Sequence, residues 1–181
     1  MPRSTACAEV YGYPPAPPAS PHERSAHRPD GTTWNEAWDD GSGYDGFAVA
    51  EAIHTTRADA GASAYVYWFG ASVGATLALA AYSRFIRPGA VRVAAGSGAE
   101  GLRTTAFRNR DGQRVLEILS IGEGPARVDY VLRGAGGGDA RGAVYRTDDT
   151  HALSRVGTAR VRGGRLAAEL PGRSLTTVVL P

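Results

Sequence analysis

Five acidic residues fall between Asp30 and Asp45 with no basic residue among them: Asp30, Glu36, Asp39, Asp40 and Asp45. Glu23 stands a short way upstream. Carboxyl groups crowded in this way repel one another, and the repulsion raises the pKa of one of them. A pair in which one member keeps its proton while the other is ionised can do acid–base or nucleophilic work. Trp34, Trp38 and Tyr44 are interleaved with these acids, and Trp68 follows further on. Their flat apolar faces suit stacking on a sugar ring, and equally suit filling a core. The plainer reading of the acids is a turn-rich, solvated loop whose Asp side chains cap backbone amides.

Other chemistries find little support. Cys7 is the single cysteine, so the sequence holds no internal disulfide and no cysteine-based metal site is expected. The acidic cluster lacks the loop spacing of an EF-hand. There is no phosphate loop, dinucleotide fingerprint or Ser-His-Asp ordering, and Gly134 to Gly138 reads as a flexible connection. His22, His27 and His151 are isolated in loop-like surroundings, while His54 falls close to the apolar face of a helix, where a structural role is expected. No cofactor and no metal are therefore expected. No apolar run approaches the roughly 20 residues that span a bilayer, so no membrane partner is expected. Met1 to Glu9 lack the apolar stretch of a secretory signal, so an export signal is not expected here.

All 20 basic residues are arginine, and they are unevenly spread. Residues 1–83 carry four arginines against nine acids, and residues 84–181 carry sixteen against nine. A basic half can signal nucleic acid. Here the arginines alternate with acids along strand positions and turns, without stacking aromatics beside them. The reading adopted is a solvated sandwich face with no nucleic-acid partner; nucleic-acid binding is the weaker alternative.

The elements that would have to position these residues follow from proline, glycine and apolar periodicity. Residues 1–31 hold seven of the eleven prolines and read as an extended or disordered segment. Phe47, Val49, Ala50 and Ile53 outline one face of a helix over Phe47 to Arg57, ended near Gly61. Ala64 to Trp68 is short and wholly apolar, as expected of a strand buried on both faces of a parallel sheet. Ala75 to Phe85 is rich in Ala and Leu and favours helix until Pro88-Gly89 stops it. From Val91 the period changes to two. Strands are predicted at Val91–Ala94, Leu102–Arg108, Arg114–Ser120, Arg127–Leu132, Ala143–Thr147, Thr158–Arg162, Arg165–Leu170 and Ser174–Leu180. Asn109 to Gly112 and Gly163-Gly164 supply hairpin loops, and the regular spacing predicts an antiparallel sandwich.

Several of these segments, in this order, resemble a known family. They are Ala37-Trp38-Asp39-Asp40-Gly41-Ser42-Gly43, Gly46-Phe47 leading into Ala52-Ile53-His54, Ala62 to Trp68, Tyr82 to Val93, Thr105 to Gly112, and Leu170 to Val178. Over roughly residues 37–180 the chain is similar to the C-terminal portion of glycoside hydrolase family 30, most closely its endo-β-1,6-galactanase-like branch. That resemblance implies a mostly β fold: an antiparallel β-sandwich preceded by a fragment, the last β/α units, of a (β/α)8 barrel. It divides the chain into the proline-rich segment 1–31, a barrel end over 32–87 and a sandwich over 88–181.

The same resemblance implies retaining hydrolysis of a β-linked polysaccharide, with a β-galactan-type glycan as partner. It also implies an extracellular location for full-length members. Such enzymes use two carboxyl groups about 5–5.5 Å apart. The family's acid/base glutamate lies on the fourth barrel strand, which has no counterpart here. Its nucleophile lies in a Trp-x-Ser/Thr-Glu motif on the seventh strand, just before the segment like Ala37 to Gly43. The nearest match, Thr32-Thr33-Trp34-Asn35-Glu36, is one residue short and lacks the hydroxyl residue. Glu36 is therefore the positional candidate, with Glu23 in no matching context. Trp68, Trp38, Trp34 and Tyr44 are the candidate substrate contacts. The expectation is a partial glycosidase, inactive as an isolated chain, whose partner would be a missing barrel half. The alternative is a non-catalytic accessory or carbohydrate-binding sandwich.

Overall fold

The computed structural model describes residues 37–41, 45–65, 73–133 and 138–181. The chain divides into two compact units, Met1–Thr76 and Leu77–Pro181.

In the first unit, helix α1 spans Gly46–His54 and buries Phe47, Val49, Ala50, Ile53 and His54. A π-helical turn over Thr55–Asp59 extends it, and Ala60 N–H donates to Thr55 O at 3.0 Å. Gly61, at φ +67°, then turns the chain away. The predicted strand at Ala64 to Trp68 is not formed at Ala64 or Tyr65, and the rest of it lies outside the described residues. A second helix, α2, covers Val73–Phe85 and crosses the boundary between the units.

The second unit is a single eight-stranded antiparallel sheet. Its strands are β1 Val91–Val93, β2 Leu102–Arg108, β3 Arg114–Ser120, β4 Ala126–Val131, β5 Ala140–Asp148, β6 His151–Arg162, β7 Arg165–Leu170 and β8 Ser174–Leu180. They lie in the order β1-β2-β3-β8-β5-β6-β7-β4. The sheet curls on itself, so one core receives residues from distant strands. Leu102, Ala106, Leu116, Ile118, Val178 and Leu180 come from β2, β3 and β8; Val128, Tyr130, Ala159, Val161, Leu166 and Leu170 come from β4, β6 and β7. The Thr104 and Tyr130 hydroxyls meet at 2.8 Å within that core.

The other face of the central strands is also buried. Phe107, Val115, Leu119, Leu175 and Thr177 point there, and Phe85 of α2 stacks on Tyr145 with ring centroids 4.5 Å apart. Burial on both faces explains why β3 and β8 read as near-continuous apolar runs instead of alternating. Asn109 joins the end of α2 to the β2–β3 hairpin. Its Nδ2 donates to Phe85 O at 2.8 Å, and its Oδ1 accepts from Arg87 N–H at 3.0 Å.

One hairpin differs from expectation in length. The β5–β6 pair is longer at both ends than the sequence indicated, and register shifts interrupt it between Val144 and Tyr145 and between Arg146 and Asp148. Leu153 takes a left-handed φ of 48° beside the second shift, an uncommon conformation for a bulky residue. By contrast, the two-residue loop Gly163-Gly164 adopts φ +53° and +71°, the positive values a tight hairpin turn needs and glycine tolerates.

Candidate functional site

The acidic segment before α1 is built around Asp45. Its side chain is the N-cap of α1: Oδ1 accepts from Ala48 N–H at 2.8 Å. Oδ2 accepts from the backbone amides of Asp40 and Gly41, each at 3.0 Å. Burial raises the Asp45 carboxyl above its usual range, the amide donors from Ala48 and Asp40 pull it back, and contact with the Asp40 carboxyl adds repulsion. Of the five clustered acids, the structure thus brings Asp40 and Asp45 together, and Asp45 spends both oxygens on backbone amides. Asp39 is partly exposed nearby, while Asp30 and Glu36 lie outside the described residues.

Trp38 is 3% exposed and meets Phe47 edge-on, with centroids 5.9 Å apart and planes at 88°. Its carbonyl accepts from Phe47 N–H at 2.6 Å. The indole therefore helps seat α1 in place. Trp34, Tyr44 and Trp68, with Glu23, lie outside the described residues. Among the described residues, no group of three or more His, Cys, Asp or Glu side chains is arranged to hold a metal ion. No helix among them is long and apolar enough to cross a membrane.

Two polar clusters escaped the sequence reading. Glu117 sits in the middle of β3, 1% exposed, opposite Thr105 on one side and Thr177 on the other. Thr177 Oγ1 donates to its Oε2 at 2.7 Å, and Oε1 has no hydrogen-bond partner among the described residues. Full burial drives this carboxyl well above the usual range; the Thr177 bond offsets only part of that. Its sequence signal was a lone acid inside the run Val115-Leu116-Glu117-Ile118-Leu119.

The second cluster closes the β5–β6 hairpin. Asp148 Oδ1 accepts from Thr150 N–H at 2.8 Å and His151 N–H at 2.9 Å, and lies 2.8 Å from His151 Nδ1. Partial burial pushes the Asp148 carboxyl up, but the bonds from His151 and Thr150 outweigh it and hold it below its usual value. His151 is thus not isolated, contrary to the sequence reading. The signal was Asp148-Asp149-Thr150-His151, an acid followed by residues whose amides it can cap. All three aromatic residues of the sheet are engaged inward: Phe107 is fully buried, Tyr130 bonds Thr104, and Tyr145 packs on Phe85.

Residues 89–178 match the family model of the glycosyl hydrolase family 30 β-sandwich domain. The chain is similar to the catalytic domain of a family 30 xylanase from Talaromyces cellulolyticus, at TM-score 0.70 and 24% identity over 82% of this chain and 38% of that one. It is similar to a family 30 endoxylanase from Clostridium papyrosolvens, at TM-score 0.69 and 19% identity over 81% of this chain and 40% of that one. A family 30 subfamily 8 xylanase from Clostridium acetobutylicum matches at TM-score 0.69 and 20% identity, over 81% of this chain and 41% of that one. The chain therefore spans well under half the length of these enzymes.

Proposed function

This chain belongs to glycoside hydrolase family 30 through its C-terminal β-sandwich domain, and we propose that it is the sandwich-bearing end of a retaining endo-glycosidase of β-linked polysaccharide. The supporting observation is the shared fold over 81–82% of the chain with the three xylanases above. We place residues 32–87 as the last β/α units of a barrel and propose a β-1,6-galactan-type substrate, on the motifs from Ala37 to Val178. The neighbouring structures act on xylan, which makes xylan the competing substrate.

On its own the chain is proposed to be inactive. Retention needs two carboxyl groups about 5–5.5 Å apart, free to reach the sugar. Asp45, the buried acid of the described cluster, is committed to three backbone amides. Glu36 is our candidate nucleophile and Glu23 the lesser one. Trp34, Tyr44 and Trp68 are our candidate sugar contacts, and Trp38, with its ring buried, is assigned to positioning α1. A complementary barrel half would supply the acid/base.

The test incubates the purified chain with β-1,6-galactan and with xylan, and measures reducing ends. No release is expected from the chain alone. Release that is abolished by Glu36→Gln would overturn the claim of inactivity while identifying the nucleophile. Addition of a separately expressed family 30 barrel half is expected to restore cleavage, of galactan before xylan.

A further inference from the structure

The arginine excess of the second half is not spread evenly over the sheet. Arg108 and Arg114 face each other in register where β2 meets β3, and Arg110 occupies the turn between them. Arg87 lies just before β1, its backbone amide bonded to Asn109. Arg87, Arg108 and Arg110 are exposed and Arg114 is half-buried. None of the four pairs with a carboxylate among the described residues. Like charges directly opposite on neighbouring strands are unfavourable, so the Arg108–Arg114 pair adds no stability to the hairpin.

The turn that carries them is closed by its own hydrogen bonds. Asn109 N–H donates to Gln113 O at 2.8 Å, Gly112 N–H to Asn109 O at 3.1 Å, and Gln113 N–H to Asp111 Oδ1 at 2.9 Å. Asp111 is the one acid in the turn. The Arg110 guanidinium lies so close to Gly89 that a Cβ there would overlap it. Arg108, Asn109, Arg110, Gly112, Gly89 and Val91 line an open cleft of about 350 Å³. Val91, in the lining, is 56% exposed and so offers an apolar surface to a ligand.

We propose that this cleft binds an acidic polysaccharide, with the guanidinium groups of Arg108 and Arg110 on uronate carboxylates and Val91 against the apolar face of a sugar ring. The proposal rests on the glycosidase reading above, and names a second glycan site apart from the acids before α1. Arginine suits it because the planar fork grips a carboxylate through two parallel bonds. Nucleic acid is the poorer fit. Single strands stack their bases on aromatic platforms, and among the described residues no aromatic lines the cleft.

The test titrates the full chain with polygalacturonate, neutral β-1,6-galactan and single-stranded RNA by calorimetry. Polygalacturonate is expected to bind, and to weaken about tenfold as NaCl rises from about 0.05 to about 0.5 M. The double variant Arg108→Gln/Arg110→Gln is expected to lose at least tenfold in affinity, with Arg127→Gln/Arg160→Gln, at exposed positions on β4 and β6, unchanged as a control matched in net charge. Arg110→Lys, which retains charge without the fork, is expected to lose an intermediate amount. Binding that is unchanged in the double variant, equal loss in Arg127→Gln/Arg160→Gln, or RNA bound as tightly as polygalacturonate would each overturn the proposal. Should neutral galactan bind and polygalacturonate not, the acidic site fails while the glycosidase reading stands. Should polygalacturonate bind while no barrel half restores cleavage, the glycosidase reading fails alone.

Discussion

Strand β3 and the β5–β6 hairpin share one sheet and differ in almost everything else. β3 is seven residues long, regular in register with both neighbours, and buried on both faces. The hairpin is long, twice shifted in register, and alternates between buried and exposed positions along β6. Where both faces are buried, each side chain is held by packing and each polar group must find its partner inside. Along the hairpin two bulges interrupt the ladder, and local side-chain bonds such as those of Asp148 hold the turn.

The contrast is sharpest in core truncation. Ile118→Ala on β3 is expected to cost about 3 kcal/mol, because the cavity cannot collapse between two covered faces. Arg160→Ala on an exposed position of β6 is expected to stay within about 0.5 kcal/mol. Urea unfolding of the two variants measures the difference, and similar midpoints would remove the distinction.

Polar groups sharpen it next. Burial raises the Glu117 carboxyl well above the ordinary carboxylate range, so the folded state keeps its proton to higher pH than the unfolded chain does. Stability therefore falls as pH rises above that range, until the folded carboxyl itself ionises. Glu117→Gln is expected to remove this slope and to gain about 1–2 kcal/mol at pH 7, little of which remains near pH 4. A wild-type curve parallel to the variant from pH 4 to pH 8 would show that the carboxyl is not held neutral.

The smallest effect belongs to the hairpin tip and has the opposite sign. Asp148 is held below its usual value, so its contribution is present above the ordinary carboxylate range and is lost as pH falls through the lowered value. Asp148→Ala is expected to cost about 1 kcal/mol at pH 7 and less below pH 3. Thermal unfolding across that range tests it. A cost that does not change with pH would mean the aspartate acts by packing alone.

Legibility followed the same division. The bounds expected for β2, β3, β7 and β8 agree with those observed, because an apolar run between turn residues is a local pattern. The start of β6 was missed: from His151 to Gly157 the residues alternate poorly, and pairing with β5 imposes the strand. Asn109 was read as a turn residue, which it is. Its grip on Phe85 and Arg87 depends on a helix end more than twenty residues away. Glu117 was passed over because an acid within a strand ordinarily points to solvent, and only a second covered face traps it. Before α1, five clustered acids were legible as either a reactive pair or a capping loop, and Asp45 adopts the capping arrangement.

Turn residues, helix formers and alternating apolar positions act over a few bonds, so reading them along the chain was sufficient for the mostly β class and for most strand positions. The order in which the strands join, the burial of Glu117 and the tie between Arg87 and the β2–β3 turn belong to the fold. Each arises from contacts between residues distant in the chain, and such contacts exist only once the sheet has curled and closed on its core.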